Sequence, residues 1–170
     1  MIFVTVGTHE QPFNRLIKAI DDMKGRGCIT TRVIMQTGFS TYEPRFCQWE
    51  SLFPYKEMEK YMTDARIIIT HGGPSSFIAP LQMGKIPIVV PRQKKFREHV
   101  DDHQVKFANA VANRQGNIIV VNDIEQQLER TILDYDDIAA EMSLKIRSNN
   151  DRFCSELEEI VNGMFERKKR

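Results

Sequence analysis

The feature that most constrains this chain is the alternation of short, β-branched apolar runs with longer segments of helical periodicity. The apolar runs fall at residues 2–6, 31–36, 66–70, 87–91 and 118–121, with a weaker one at 47–53. Ile67-Ile68-Ile69 and Ile88-Val89-Val90 have no polar side for water, so they read as strands buried on both faces. Between them, Phe13, Leu16, Ile17 and Ile20 recur at helical spacing after Pro12, which suits a first helical turn, and Gly25 and Gly27 close that helix. Further helices are expected at 55–65, from the Pro74-Ser75-Ser76 segment to about Met83, at 100–114 and at 124–133 with Asp123 as N-cap. Residues 138–165 read as one more helix, with Ile146, Phe153, Leu157, Ile160, Val161 and Met164 turned to the core. Strands that alternate with helices are joined by right-handed crossovers, which need parallel strands and cover both sheet faces. The expected fold is α/β: a doubly wound, mostly parallel sheet in a three-layer, Rossmann-like sandwich. It forms one domain over residues 1–170, with 136–170 a helical extension packed on it.

Bulk properties narrow the function by exclusion. A formal net charge of +1 gives no global field for nucleic acid or an anionic membrane. Cys28, Cys47 and Cys154 are odd in number and form no CxxC pair, which fits a reducing compartment and neither a disulfide framework nor a zinc cluster. No apolar run approaches a membrane span, and residues 1–7 read as a strand rather than a signal peptide, so a cytoplasmic location is expected. The basic run 167–170 reads as a solvated helix end, or as a weak contact with an anionic membrane surface.

Ligands of doubly wound sheets bind at the carboxyl ends of the strands. That rule selects three loops, at 7–14, 71–76 and 92–104. In the second, a buried strand runs into His71-Gly72-Gly73-Pro74-Ser75-Ser76. Glycines let a backbone approach an anion, and a helix start offers unpaired N–H groups and a positive dipole end. The segment suits a diphosphate, though it is neither GxxxxGKS/T nor GxGxxG. Read locally it is equally a strand-to-helix turn with a serine cap. Gly7-Thr8-His9 is a second glycine turn, either an ordinary βα turn or a backbone edge beside the same diphosphate, with His9 near the transferred group.

The third loop holds Arg92, Lys94, Lys95 and Arg97, an exposed basic stretch that could attract phosphate, and then Glu98-His99-Val100-Asp101-Asp102-His103-Gln104. His99 and His103 stand four apart, but the HExxH pattern needs glutamate where Val100 stands, so no metal site is assigned; the acids could recruit a divalent cation only weakly. The segment reads either as a polar helix start with acids against the dipole, or as side chains for sugar hydroxyls.

Taken in order, Val-Thr-Val-Gly-Thr-His-Glu-Gln-Pro-Phe, Thr-His-Gly-Gly-Pro-Ser-Ser-Phe and Gly-Lys-Ile-Pro-Ile-Val-Val-Pro-Arg-Gln through Asp-Asp-His-Gln resemble the C-terminal domain of family 28 GT-B glycosyltransferases, from Met1 to about Val121. The resemblance is closer to stand-alone versions of that domain than to the two-domain enzyme. The stand-alone versions are the catalytic subunit of the dolichol-linked N-acetylglucosaminyltransferase and bacterial capsule or exopolysaccharide subunits described as β-1,4-galactosyl- or glucuronosyltransferases.

The resemblance implies a UDP-sugar substrate, with no cofactor and no metal. It places Gly7 and Thr8 near the diphosphate, and His71, Gly72, Gly73, Ser75 and Ser76 along the phosphate and uridine site. It gives His103 and Gln104 to the donor sugar, flanked by Glu98, His99 and Asp102, with Arg92 as a further donor-binding residue. His9 and Glu98 become the catalytic candidates. Where many relatives carry a ribose-binding glutamate this chain has Pro80, so Gln82 or backbone groups are expected to hold the ribose. The acceptor half is expected from a membrane-anchored partner subunit, which would hold this chain at the inner face of the membrane. The isolated chain could pair with itself. Two other readings are an accessory subunit without catalysis and a nucleotide-binding regulatory domain.

Overall fold

The computed structural model describes residues 1–143 and 150–166. The elements run β1 (Ile2–Thr5), α1 (Asn14–Gly25), β2 (Val33–Gln36), β3 (Gln48–Glu50), α2 (Tyr55–Asp64), β4 (Ile67–His71) and α3 (Pro74–Gln82). Then follow β5 (Ile88–Val90), a short 3-10 turn (Lys94–Phe96), α4 (His103–Gln115), β6 (Ile119–Val120), a π turn (Ile124–Leu128), α5 (Glu129–Leu133), α6 (Tyr135–Ser143) and α7 (Asn150–Glu166). Six strands form one sheet in the order β3-β2-β1-β4-β5-β6, and every pairing is parallel. The doubly wound α/β expectation is therefore met.

Alternating side chains of β1 divide the core. Ile2 and Val4 pack with Leu16, Ile17 and Ile20 of α1 and with Ile124, Leu128 and Tyr135. Phe3 faces the other way, with Ile34, Ile68 and Met62 of α2. Phe77 of α3, Val89 and Ala108 of α4 continue that second layer. Phe13, Leu16, Ile17 and Ile20 are wholly buried, as their spacing predicts. Asp123 caps the π turn, its side chain accepting the Gln126 N–H at 3.1 Å.

Three expectations need correcting. The helix predicted from residue 100 begins only at His103. Arg97 takes a left-handed conformation, φ 57°, Glu98 turns inward, and Asp101 accepts the His103 N–H at 3.1 Å, so residues 98–102 form a turn. Pro12 lies two residues before α1 and outside its first turn. At the C-terminal end the described residues are helical as expected, in α6 and α7, but Leu157, Ile160 and Val161 are 48%, 61% and 40% exposed rather than core-facing. They share one helix face as their spacing demands, but both sheet faces are already covered by the earlier helices. Ile146 and the basic run 167–170 lie outside the described residues.

Candidate functional site

The strand order reverses direction between β1 and β4. The chain leaves β1 for α1 on one face of the sheet and leaves β4 for α3 on the other. Loops that diverge in this way open a crevice at the carboxyl ends of the two strands. A cleft of about 470 Å³ sits there. Its walls come from Thr5, Gly7, Thr8 and His9 of the first strand and loop, and from His71, Ser75, Ser76 and Ala79 of the second.

On the β4 side the helix start is left open. Gly73 is the N-cap of α3, Pro74 occupies the first turn, and no side chain caps the helix. Neither Ser75 nor Ser76 plays the capping role open to it from sequence; Ser75 is exposed and Ser76 half-buried. The positive end of α3 and two hydroxyls therefore face the cleft without a protein anion. The glycines have a second purpose that local sequence does not show. A Cβ on Gly7 or on Gly73 would collide with the imidazole of His71, so both glycines make room for that ring. Gly7 also has φ +74°, a left-handed conformation that suits glycine. His71 is 8% exposed, and burial, with Arg92 and His9 adding to it, pushes its pKa down to about 4. The ring at the cleft floor is neutral at physiological pH.

On the β1 side, Thr8 is exposed and His9 half-buried. The Gln11 N–H donates to His9 Nδ1 at 3.1 Å, which leaves the proton of the neutral ring on Nε2. The imidazole is thus oriented as a donor. His9 also packs on His99, with ring centroids 4.7 Å apart, and His99 on His103 at 4.4 Å. A row of three histidines leads away from the cleft along its rim.

The loop after β5 overturns several expectations. Arg92 is not an exposed phosphate ligand; it is wholly buried. Its guanidinium donates to the carbonyls of Gln11 at 2.6 Å, Val6 at 3.0 Å and Glu98 at 3.3 Å, and lies 4.9 Å from the Phe13 ring centre. Glu98 is not an available base either. Its carboxylate receives both Nε and Nη2 of Arg15 at 2.9 Å and the Gln93 N–H at 3.1 Å, and the residue is 4% exposed. Gln104, also 4% exposed, accepts the N–H groups of Gly72 at 3.1 Å and Arg92 at 3.2 Å, so its carbonyl ties the ends of β4 and β5 together. Asp102 accepts the Lys94 N–H at 2.8 Å. These residues shape the loops around the cleft, and Gly72, Gly73, Arg92, Glu98, His99, Asp102, His103 and Gln104 do not line it.

Sequence reasoning missed the opposite wall. Gln36 of β2, Tyr55, Met58 and Met62 of α2 complete the cleft. Tyr55 is 76% exposed at the start of its helix, directly after Pro54. An aromatic residue at a proline-fixed helix start, in the segment that leads into β4, is the signal that could have found it. Pro80 is buried inside α3, and neither it nor Gln82 lines the cleft. A larger hollow of about 630 Å³ lies beside Gly25, at the far end of α1. Asp22, Glu125 and Glu129 make it acidic, and it is remote from the strand ends, so it does not suit an anionic ligand. No helix among the described residues is long and apolar enough to cross a membrane.

The comparisons with known proteins agree with this geometry. The family model described as glycosyltransferase family 28 C-terminal domain matches residues 1–158. The chain is similar in structure to the glycosyltransferase SnogD from Streptomyces nogalater, at 16% identity and a TM-score of 0.58, over 86% of this chain and 38% of that one. It is similar to CalG4, the calicheamicin glycosyltransferase, at 16% identity and a TM-score of 0.58, over 96% and 43%. The glycotransferase of kitacinnamycin matches at 16% identity and a TM-score of 0.59, over 85% and 37%. At this identity the likeness is one of fold, and the chain spans about two fifths of the length of these enzymes. No curated protein matches the chain.

Proposed function

The chain belongs to the glycosyltransferase family 28 C-terminal domain family, and from that premise we propose that the cleft between the ends of β1 and β4 binds a UDP-sugar for transfer of its hexose. The observation that carries this reading is the uncapped N-terminus of α3, which opens with Ser75 and Ser76 onto the cleft at the switch point. The diphosphate lies against that helix end and the Gly7–Thr8 edge. The nucleoside lies toward Tyr55 and Met58, whose apolar surface suits a base. The sugar extends toward His9 and the histidine row.

As the glycosidic bond breaks, negative charge develops on the departing diphosphate. The helix dipole, the serine hydroxyls and the His9 Nε2–H are fixed donors at that position, so they favour the charged leaving group without reorganising. Among the described residues, none that lines the cleft is a carboxylate. Deprotonation of the acceptor hydroxyl is therefore assigned to a second, acceptor-binding half. We place that half on a membrane-anchored partner subunit, with a lipid-linked saccharide of capsule or exopolysaccharide synthesis as acceptor and galactose as the favoured sugar.

Calorimetric titration of the purified chain with UDP, UDP-galactose, UDP-N-acetylglucosamine, UDP-glucuronate, GDP and ADP tests the reading. Uridine nucleotides are expected to bind, and one UDP-sugar more tightly than UDP. Equal affinity for UDP and every UDP-sugar would point to a regulatory nucleotide site. No response to any uridine nucleotide, from the chain or from its co-expressed complex, sinks the proposal.

A further inference from the structure

The turn before α4 gathers groups that do not line the cleft. His99 Nδ1 is buried without a hydrogen-bond partner, on a side chain only 10% exposed. It faces Asp101, whose Oδ1 lies 3.5 Å away. The same oxygen lies 2.5 Å from His103 Nδ1 and accepts the His103 backbone N–H at 3.1 Å, which fixes the carboxylate. One ligand atom from each of the three residues lies within 4.8 Å of the other two. A buried polar atom without a partner is costly, and here its neighbours are two further electron-pair donors.

We propose that His99, Asp101 and His103 form a binding site for a divalent transition-metal ion of the zinc class. Two imidazole nitrogens and one carboxylate oxygen are the ligand set such an ion takes, with a fourth position open. Magnesium and calcium prefer an all-oxygen set and are not matched. The spacing argument against a metal assumed that His99 and His103 lie on one helix. The helix begins at His103, so residues 99–102 are a turn, and that turn brings the donors to one point. In the metal-free state the hydrogen bond between His103 Nδ1 and Asp101 Oδ1 occupies two of these ligand atoms. The ring of His9 packs against His99, so the site adjoins the loop after β1 at the rim of the cleft. A bound ion ties residues 99–103 together beside that rim. The site stands on these three residues alone and holds whether or not the cleft binds nucleotide.

The test is calorimetric titration of the untagged, EDTA-treated chain with zinc chloride and, separately, magnesium chloride, alongside Asp101→Asn and His103→Ala. The wild type is expected to take up one zinc ion per chain, to melt at higher temperature with it, and to ignore magnesium. Both variants are expected to lose zinc uptake. Asp101→Asn keeps the size of the side chain and its acceptor for the His103 N–H, so its melting curve shows whether the fold survives. No uptake by the wild type overturns the proposal. So does uptake that persists in both variants, because it would belong to the cysteines or to other groups.

Discussion

Two loops on the same edge of the sheet were both candidates for anion binding, and they differ in what they leave open. The loop after β4 contains no lysine or arginine, yet its helix start is uncapped and its hydroxyls reach the cleft. The loop after β5 carries four basic side chains, yet both terminal nitrogens of Arg92 donate to backbone carbonyls and Glu98 is held by Arg15 and Gln93. On the reading proposed above, Arg92 and Glu98 belong to the scaffold of the cleft, while Lys94, Lys95 and Arg97 stay exposed outside it. The buried charges position backbone, and the neutral glycine and serine segment supplies the donors.

The largest effect that would break this contrast is at Arg92. Arg92→Met strands three carbonyls, two of them in buried hydrogen bonds, and is expected to cost about 3–5 kcal/mol in urea unfolding. A loss below about 1 kcal/mol, with a large drop in UDP affinity, would return Arg92 to the ligand surface. Next comes pH. His71 titrates near 4 in the folded chain against an ordinary value of 6.5. The unfolded chain takes up the proton first, so stability is unaffected by this group above pH 6.5 and falls as pH drops from there toward 4, by up to about 3 kcal/mol. His71→Phe should flatten that part of the stability profile, and an unchanged slope would show that the ring is not held neutral by burial.

Gly73→Ala ranks third, at about 1–3 kcal/mol, because its Cβ meets the His71 ring. Adding His71→Ala should recover much of the loss. Simple additivity in the double-mutant cycle would show that the two residues do not meet as described. The smallest effect sharpens the other side of the comparison. Ser76→Ala is expected to weaken UDP binding by about 1 kcal/mol while stability stays within about 0.5 kcal/mol. A stability loss without a change in affinity would make Ser76 a structural residue.

The layout of the sheet was legible because apolar runs and their glycine stops are local signals. Ile67-Ile68-Ile69 read as a two-sided buried strand, and the rule that ligands bind at the carboxyl ends of strands picked out the two loops, at 7–14 and 71–76, that line the cleft. The partnerships inside the loops were not legible. Arg15 and Glu98 stand 83 residues apart, and Arg92 and Val6 stand 86 apart, so no window along the chain contains both members. The same holds for Gly7 and the His71 ring that it makes room for. At α4 a real helical pattern was extended three residues too far, because the carboxylate of Asp101 captures the N–H that would have continued it. In α7 the apolar spacing was correct for a helix, but spacing does not say whether anything lies opposite.

Both margins of the sheet are short. β3 has three residues, two of them exposed and polar, and β6 has two, against four or five in β1, β2 and β4. So little free main chain offers no template on which a strand from another molecule could add. The partner subunit proposed above would have to grip this domain by the side chains of its helices and loops. Recognition between the two would then evolve residue by residue, free of the register that shared hydrogen-bond ladders impose.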